Sequence, residues 1–199
     1  MKVLKKIILI VAVIAIGILY AYGSWSKPIY DSSIGSSSYI MTEQLEKAMS
    51  AEQEFICPNN GLDTIVLKIA MQNSSSIGDY SWKLEDSVTD KIVGQGKIEL
   101  KNIDKKGITN FKFNKIDNSK DKIYKLTITA NNVEKDSIAL FMTTKGEYAK
   151  ALSVNDKSID QSTIVKMKMT RFNTETFIVF LGLVVYVVLF IRFMYRLFR

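Results

Sequence analysis

Ser119 and Lys122 stand at the S-x-x-K spacing in which a lysine assists a serine nucleophile in serine acyltransferases. That chemistry needs the pair at a helix start, with S-D-N and K-T-G motifs downstream. Neither motif follows here, and the surrounding DNSKDK reads as a turn between strands. The same turn carries Asp117, Asn118 and Asp121, hard oxygen donors of the kind calcium takes. The D-x-D-x-D-G pattern is incomplete, and Asn and Asp serve turns equally well through hydrogen bonds to their own backbone. Glu85 with Asp86, and Asp86 with Asp90, would suit the paired carboxylates of a glycosidase only if a cleft held them about 5–10 Å apart. Tyr80, Trp82, Tyr124 and Tyr148 are the candidates for stacking on sugar rings. Trp82 has a core-like phase within its strand, whereas Tyr148, beside KGEY, reads as the more exposed.

The chain has one cysteine, Cys57, and no histidine. An intramolecular disulfide, Ser-His-Asp or Cys-His catalysis and the usual zinc sites are thereby excluded. Cys57 precedes Pro58 at a strand end and reads as a small packing residue. No catalytic residue, metal or cofactor is expected, with Asp117 and Asp121 as weak calcium candidates.

The elements that would position these residues are strands. From Glu52 onward apolar residues alternate with period two: EFIC, LDTIVLKIAMQ, YSWKLED, KIVGQGKIELKNI, ITNFKFNKI, KIYKLTITA, SIALFMTT and STIVKMKM. PNNG marks a turn, and Gly94 with Gly96 suit a bulge in a long bent strand. Seven or eight short strands at roughly ten-residue spacing predict an antiparallel sandwich, and no βαβ alternation is visible. Before them, SKPIYDSSIGSSSY reads as a linker, and MTEQLEKAMSAEQ as either a short helix or strand and turn.

Both ends are apolar. Ile7 to Gly23 follows Lys2, Lys5 and Lys6, and as a helix would reach about 26 Å, close to the hydrocarbon thickness. Tyr20, Tyr22 and Trp25 would sit at the far interface. A cleaved signal peptide is the alternative, with small residues at Ala21 and Gly23. The final run, Asn173 to Tyr195, is apolar on every face and precedes Arg196 and Arg199, with Arg192 snorkelling. The positive-inside rule then places both termini in the cytoplasm. The expected organisation is residues 1–6 cytoplasmic, 7–25 spanning, 26–49 an arm, 50–172 an extracytoplasmic β-sandwich, 173–195 spanning and 196–199 cytoplasmic.

The formal net charge of +7 does not indicate a nucleic-acid binder. Six of the 27 basic residues are the six terminal anchors, which leaves 21 against 20 acidic residues in the remainder. A near-neutral domain does not neutralise a phosphate backbone.

FKFNKIDNSKDKIYKLTI, behind GLDTIVLKI and KLEDSVTDKIVGQGKIEL, resembles a jelly-roll module of bacterial membrane proteins of surface-polysaccharide assembly. The likeness covers roughly residues 50–145. It implies a hairpin in which an F-x-F strand, an N/D-S-K turn and a Y-x-L-x-I strand pair, and it brings no catalytic residues. The expected role is non-enzymatic: a double-anchored accessory or adapter subunit of a cell-envelope assembly. An integral membrane partner, the lipid bilayer and a glycan contacted through Tyr148 or Trp82 are the expected interactions. A membrane-tethered carbohydrate-binding module is the alternative, and a carboxylate-dependent glycan-processing enzyme a further one.

Overall fold

Alternating burial along the strands sets the architecture. In the computed structural model, which describes residues 2–71, 77–98, 100, 103, 106–135 and 138–198 (without the side chains of 2, 3, 6, 77, 134 and 135), the chain divides into Trp25–Met169 and a second unit made of its two ends. The first unit holds β-sheets and the second two helices.

The strands run β1 (Tyr22–Pro28), β2 (Ile40–Met41), β3 (Ser50–Ile56), β4 (Leu62–Met71), β5 (Ile77–Asp86), β6 (Lys91–Ile98) and β7 (Ile108–Ile116). They continue as β8 (Ile123–Lys135), β9 (Ile138–Thr143), β10 (Ala149–Val154), β11 (Lys157–Ile159), β12 (Ser162–Thr163) and β13 (Val165–Phe172). Among the described residues they form two antiparallel sheets. One has the order β1-β13-β4-β9-β12, with β2 on β9 and β7 on β4; the other has the order β11-β10-β3-β8-β5-β6. On β4, Ile65, Leu67 and Ile69 point inward, and on β8 Tyr124, Leu126 and Ile128 do the same. These faces meet in one hydrophobic core that also takes Phe55, Tyr80, Trp82, Leu84, Phe111 and Met167. The expected β-sandwich is therefore present.

The implied hairpin is not. β7 pairs with β4 in the first sheet, and β8 pairs with β3 and β5 in the second. The 117–122 turn carries the chain across the sandwich, beside a second crossing from β3 to β4. Ser119, fully buried, straps the two crossings together. Its Oγ donates to the Asn59 carbonyl (2.9 Å) and accepts from the Leu62 N–H (3.2 Å). Asp121 N–H to Cys57 O (2.8 Å) and Cys57 N–H to Lys122 O (2.9 Å) complete the strap.

Residues 26–49, read from sequence as an arm, are built into the sheets. Ile29 and Leu45 are fully buried, β2 pairs with β9, and the ambiguous 41–53 segment holds an extended bridge at Leu45 followed by β3, not a helix. The long strand read through Ile103 is described as strand to Ile98. Its register slips between Leu84 and Glu85 of β5, opposite Gly94 and Ile92, so the expected bulge lies beside Gly94.

In the unit of the two ends, α1 (Lys2–Ala21) and α2 (Thr174–Leu197) pack on each other. A Cβ at Gly17 would lie 2.8 Å from the Phe180 ring, and the Tyr20 and Phe180 rings are 5.8 Å apart. α2 is capped by Asn173, whose side chain accepts from Thr176 N–H (3.1 Å). With a mean hydropathy of 2.7 in its apolar window, α2 is long and apolar enough to cross a membrane. The expectation of a second, equal span over 7–25 needs correction. α1 ends at Ala21, Tyr22 and Trp25 lie on β1, and the apolar part Ile7–Ala21 reaches only about 22 Å against a hydrocarbon core of ~30 Å. The anchors Lys5, Arg192 and Arg196 lie on these helices, whereas the side chains of Lys2 and Lys6, and Arg199 altogether, lie outside the described residues.

Candidate functional site

The residues singled out from sequence resolve into structural roles. Ser119 and Lys122 do not face each other as nucleophile and base: Ser119 is the buried strap, and the Lys122 Nζ lies 3.6 Å from Asp86 Oδ2. Asp117 pairs with Lys115 (3.0 Å), and Asp121 occupies a left-handed turn position at φ 60°. Among the described residues no group of three His, Cys, Asp or Glu side chains could hold a metal ion. Glu85 pairs with Lys83 (2.9 Å) and Lys125 (3.9 Å), while Asp86 caps the following turn through Val88 and Thr89 N–H. Burial opposes the charge of Asp86, yet those two N–H donors and the Lys122 ammonium hold its carboxyl below the ordinary range.

Three of the four aromatic candidates turn inward. Trp82 is buried and stacks on Phe111 at 4.9 Å, and Tyr148 is half-buried against the core. Tyr80 and Tyr124 are buried, and burial, with the charges of Cys57 and Asp86 adding to it, pushes the Tyr124 phenol up to about 12. Burial likewise raises the Cys57 thiol. Tyr80, Trp82 and Tyr124 therefore offer no open flat face, whereas Tyr148 stays partly exposed.

A groove lies instead on the outer face of the seven-stranded sheet. Period-two geometry that sends Ile65, Leu67 and Ile69 inward sends Val66 and Lys68 outward. Lys166 of β13 and Ile108 of β7 flank them on neighbouring strands, and Lys106 stands just before β7. The far wall is the segment from Tyr30 to Tyr39, which includes a single 3-10 turn at Ser36–Ser38. That wall is fixed at both ends. Ile29 N–H bonds Val165 O (3.1 Å), Tyr30 bridges to Lys145, and Ile40 and Met41 pair with Met142 and Phe141. Within it, Asp31 accepts from Ser33 N–H (2.9 Å) and Oγ (2.6 Å), which closes a tight turn.

The groove encloses about 400 Å³, within the range of small-molecule sites. A second hollow of about 290 Å³ continues past Lys106 to Met41 and Phe141. The Lys68 Nζ sits 4.7 Å from the Phe141 ring centre and 5.2 Å from that of Tyr39, and Tyr30 meets Tyr39 edge-on at 6.1 Å. Among the described residues, three lysines and no carboxylate line the larger hollow. Burial and the neighbouring Tyr30 raise the Tyr39 phenol, with Lys166 opposing, so at neutral pH its hydroxyl keeps its proton and can donate. Chemically, the arrangement offers fixed positive charge, three hydroxyls (Tyr30, Ser36 and Tyr39) and an apolar floor. These are groups of the kind that bind a charged or hydroxylated ligand.

Sequence reasoning missed this site because its parts are scattered over more than a hundred positions, from Tyr30 to Lys166. The one local signal was Lys68, a charge breaking the apolar run of LDTIVLKIAM on its outward phase. No protein-family model matches the chain, and no curated protein matches it.

Proposed function

We propose that this chain is a non-enzymatic accessory protein of a bacterial cell envelope, anchored in the membrane, whose β-sandwich lies outside the cytoplasm and holds a glycan. The observation that carries the reading is the groove of Lys68, Lys166, Ser36 and Tyr39, which offers recognition groups without a catalytic pair. The envelope context comes from the sequence likeness of the 50–145 region to a jelly-roll module of surface-polysaccharide assembly, although the hairpin that likeness implies is not formed.

Retention is the direct test. The full chain in lipid nanodiscs, incubated with envelope polysaccharide fragments, is expected to retain them and return them at unchanged length. Shortened fragments would make it an enzyme, and no retention would remove the glycan from the proposal.

In this reading α2 spans the membrane, α1 crosses it as a shorter second span completed by its lysine-bearing first turn, and both termini are cytoplasmic, as the flanking Lys5, Arg192 and Arg196 favour. Cys57 is fully buried and is removed in the test background to leave a clean baseline. An impermeant thiol reagent applied to intact cells is expected to label a Ser36→Cys variant and spare Phe198→Cys. Labelling of the second variant alone would reverse the orientation.

A further inference from the structure

We infer that the groove selects an acidic sugar, a ring carrying a carboxylate or phosphate, and that Lys68 reads the charge. The inference rests on the glycan reading above and names the class of ligand within it.

Three observations lead there. The first is that the Lys68 ammonium is oriented by the faces of two aromatic rings, Phe141 and Tyr39, and not by an anion. Cation–π contacts of this kind hold a charge in place without neutralising it. Among the described residues no carboxylate forms an ion pair with Lys68 or with Lys166. Elsewhere on the domain some lysines are neutralised, Lys83 and Lys125 by Glu85 and Lys145 by Asp160, and others, such as Lys91 and Lys112, are not; Lys68 differs in being held against two rings beside a hollow. Two unneutralised ammonium groups lining one hollow lower the free energy of an anion placed between them.

The second observation is the floor. Val66, Ile108 and Ile164 give the groove an apolar base that a small inorganic ion would leave uncovered. The C–H face of a sugar ring fits such a base while its hydroxyls reach Ser36 and Tyr39.

The third is rigidity. The wall carrying Tyr39 is hydrogen-bonded to the sheet before and after the groove, so binding does not have to order it. An acidic peptide would share the charge contacts but has no use for a ring-sized apolar floor between hydroxyls, so the sugar is favoured.

The test is a set of titrations on the full chain in nanodiscs of zwitterionic lipid. The probes are a glucuronate-containing oligosaccharide, its neutral glucose counterpart, a hexose phosphate, inorganic phosphate and a hexaglutamate peptide. The acidic oligosaccharide or the hexose phosphate is expected to bind at least tenfold more tightly than the neutral sugar, and whichever is tighter identifies the carboxylate or the phosphate as the natural charge. Lys68→Ala and Lys166→Ala are each expected to lose about tenfold for the acidic probe with little change for the neutral one. Lys68→Arg is expected to recover most of the loss, and Lys91→Ala, on the other sheet, to change nothing. Equal binding of neutral and acidic sugars would overturn the inference and leave the glycan reading standing. No binding of any sugar would overturn both. Inorganic phosphate or hexaglutamate binding as tightly as the acidic sugar would show a charge sink or a peptide site, and would also overturn it.

Discussion

Trp82→Ala is expected to remove about 3–5 kcal/mol of stability, the cost of emptying a large aromatic site in a packed core. Trp82 lies on β5 between β8 and β6, opposite Ile128 on one side and Gly96 on the other. Its indole covers the two glycines of β6. A Cβ at Gly96 would come within 2.8 Å of Nε1, and one at Gly94 within 3.1 Å of Cη2. From the facing sheet Phe111 stacks on it at 15° between ring planes, and Phe113 approaches at 6.4 Å. With glycines beneath and aromatic rings above, no neighbouring side chain can swing in to fill the space, so the cavity stays open and the cost falls in the upper part of the range. For a domain of this size that is a fall of roughly 10 °C in the melting midpoint, read by thermal unfolding of the full chain in detergent. Trp82→Phe is expected to lose less than half as much. A midpoint within two or so degrees of the parent for Trp82→Ala would mean that the indole is not packed as described.

The same tryptophan shows how far a sequence speaks. Its alternation with Tyr80 and Leu84 placed it in the core correctly, because period two along a strand is a local property of the backbone. Partner choice is not local. The 117–122 turn has the composition of a hairpin and yet crosses between sheets, because Ser119 finds its partners at Asn59 and Leu62, some sixty positions away. The serine-rich segment around Pro28 reads as a linker, and only the burial of Ile29 and Tyr30 reveals it as part of the sandwich. The β10–β11 hairpin carries its signal locally in the sequence. Asn155 and Asp156 form a two-residue turn with φ of 49° and 62°, the left-handed pair that tight hairpins favour. The groove was less legible still. Phase along a strand separates its two faces, but it does not show which outward residues a distant segment will cover to make a groove. Lys68 matters through Tyr39 and Phe141, which only the pairing of β2 with β9 brings alongside.

Gln53→Leu is expected to cost about 3 kcal/mol despite replacing a buried polar side chain by an apolar one of similar size, because the groups it serves stay behind. Gln53 is 2% exposed at the middle of β3, a position where the alternation calls for a hydrophobe. Its amide is fully used. Nε2 donates to Ala151 O (3.0 Å) and Glu54 O (2.8 Å), and Oε1 accepts from Thr163 N–H (2.9 Å) and Thr163 Oγ1 (3.1 Å). The Ala151 contact has a specific cause. The β10–β3 register jumps from Ala149–Phe55 to Leu152–Gln53, and the bulge takes Ala151 out of the ladder. The Thr163 contact joins β3 of one sheet to β12 of the other, so a single side chain closes a gap in one ladder and ties the two sheets together. Leucine would fill the volume but leave the Thr163 N–H and hydroxyl and the Ala151 carbonyl buried without partners, each at roughly 1–3 kcal/mol, partly relieved by local shifts. Gln53→Glu separates the two halves of the role. It keeps the acceptor for Thr163 and loses the donor to Ala151, while placing a charge in the core, and is expected to be worse than leucine at neutral pH and to recover on acidification as the carboxyl takes up a proton. Chemical unfolding of the full chain in detergent at pH 7 and at pH 5 reads both effects. A leucine variant as stable as the parent would mean that the amide network contributes nothing net, and a glutamate variant indifferent to pH would mean that the site is open to water.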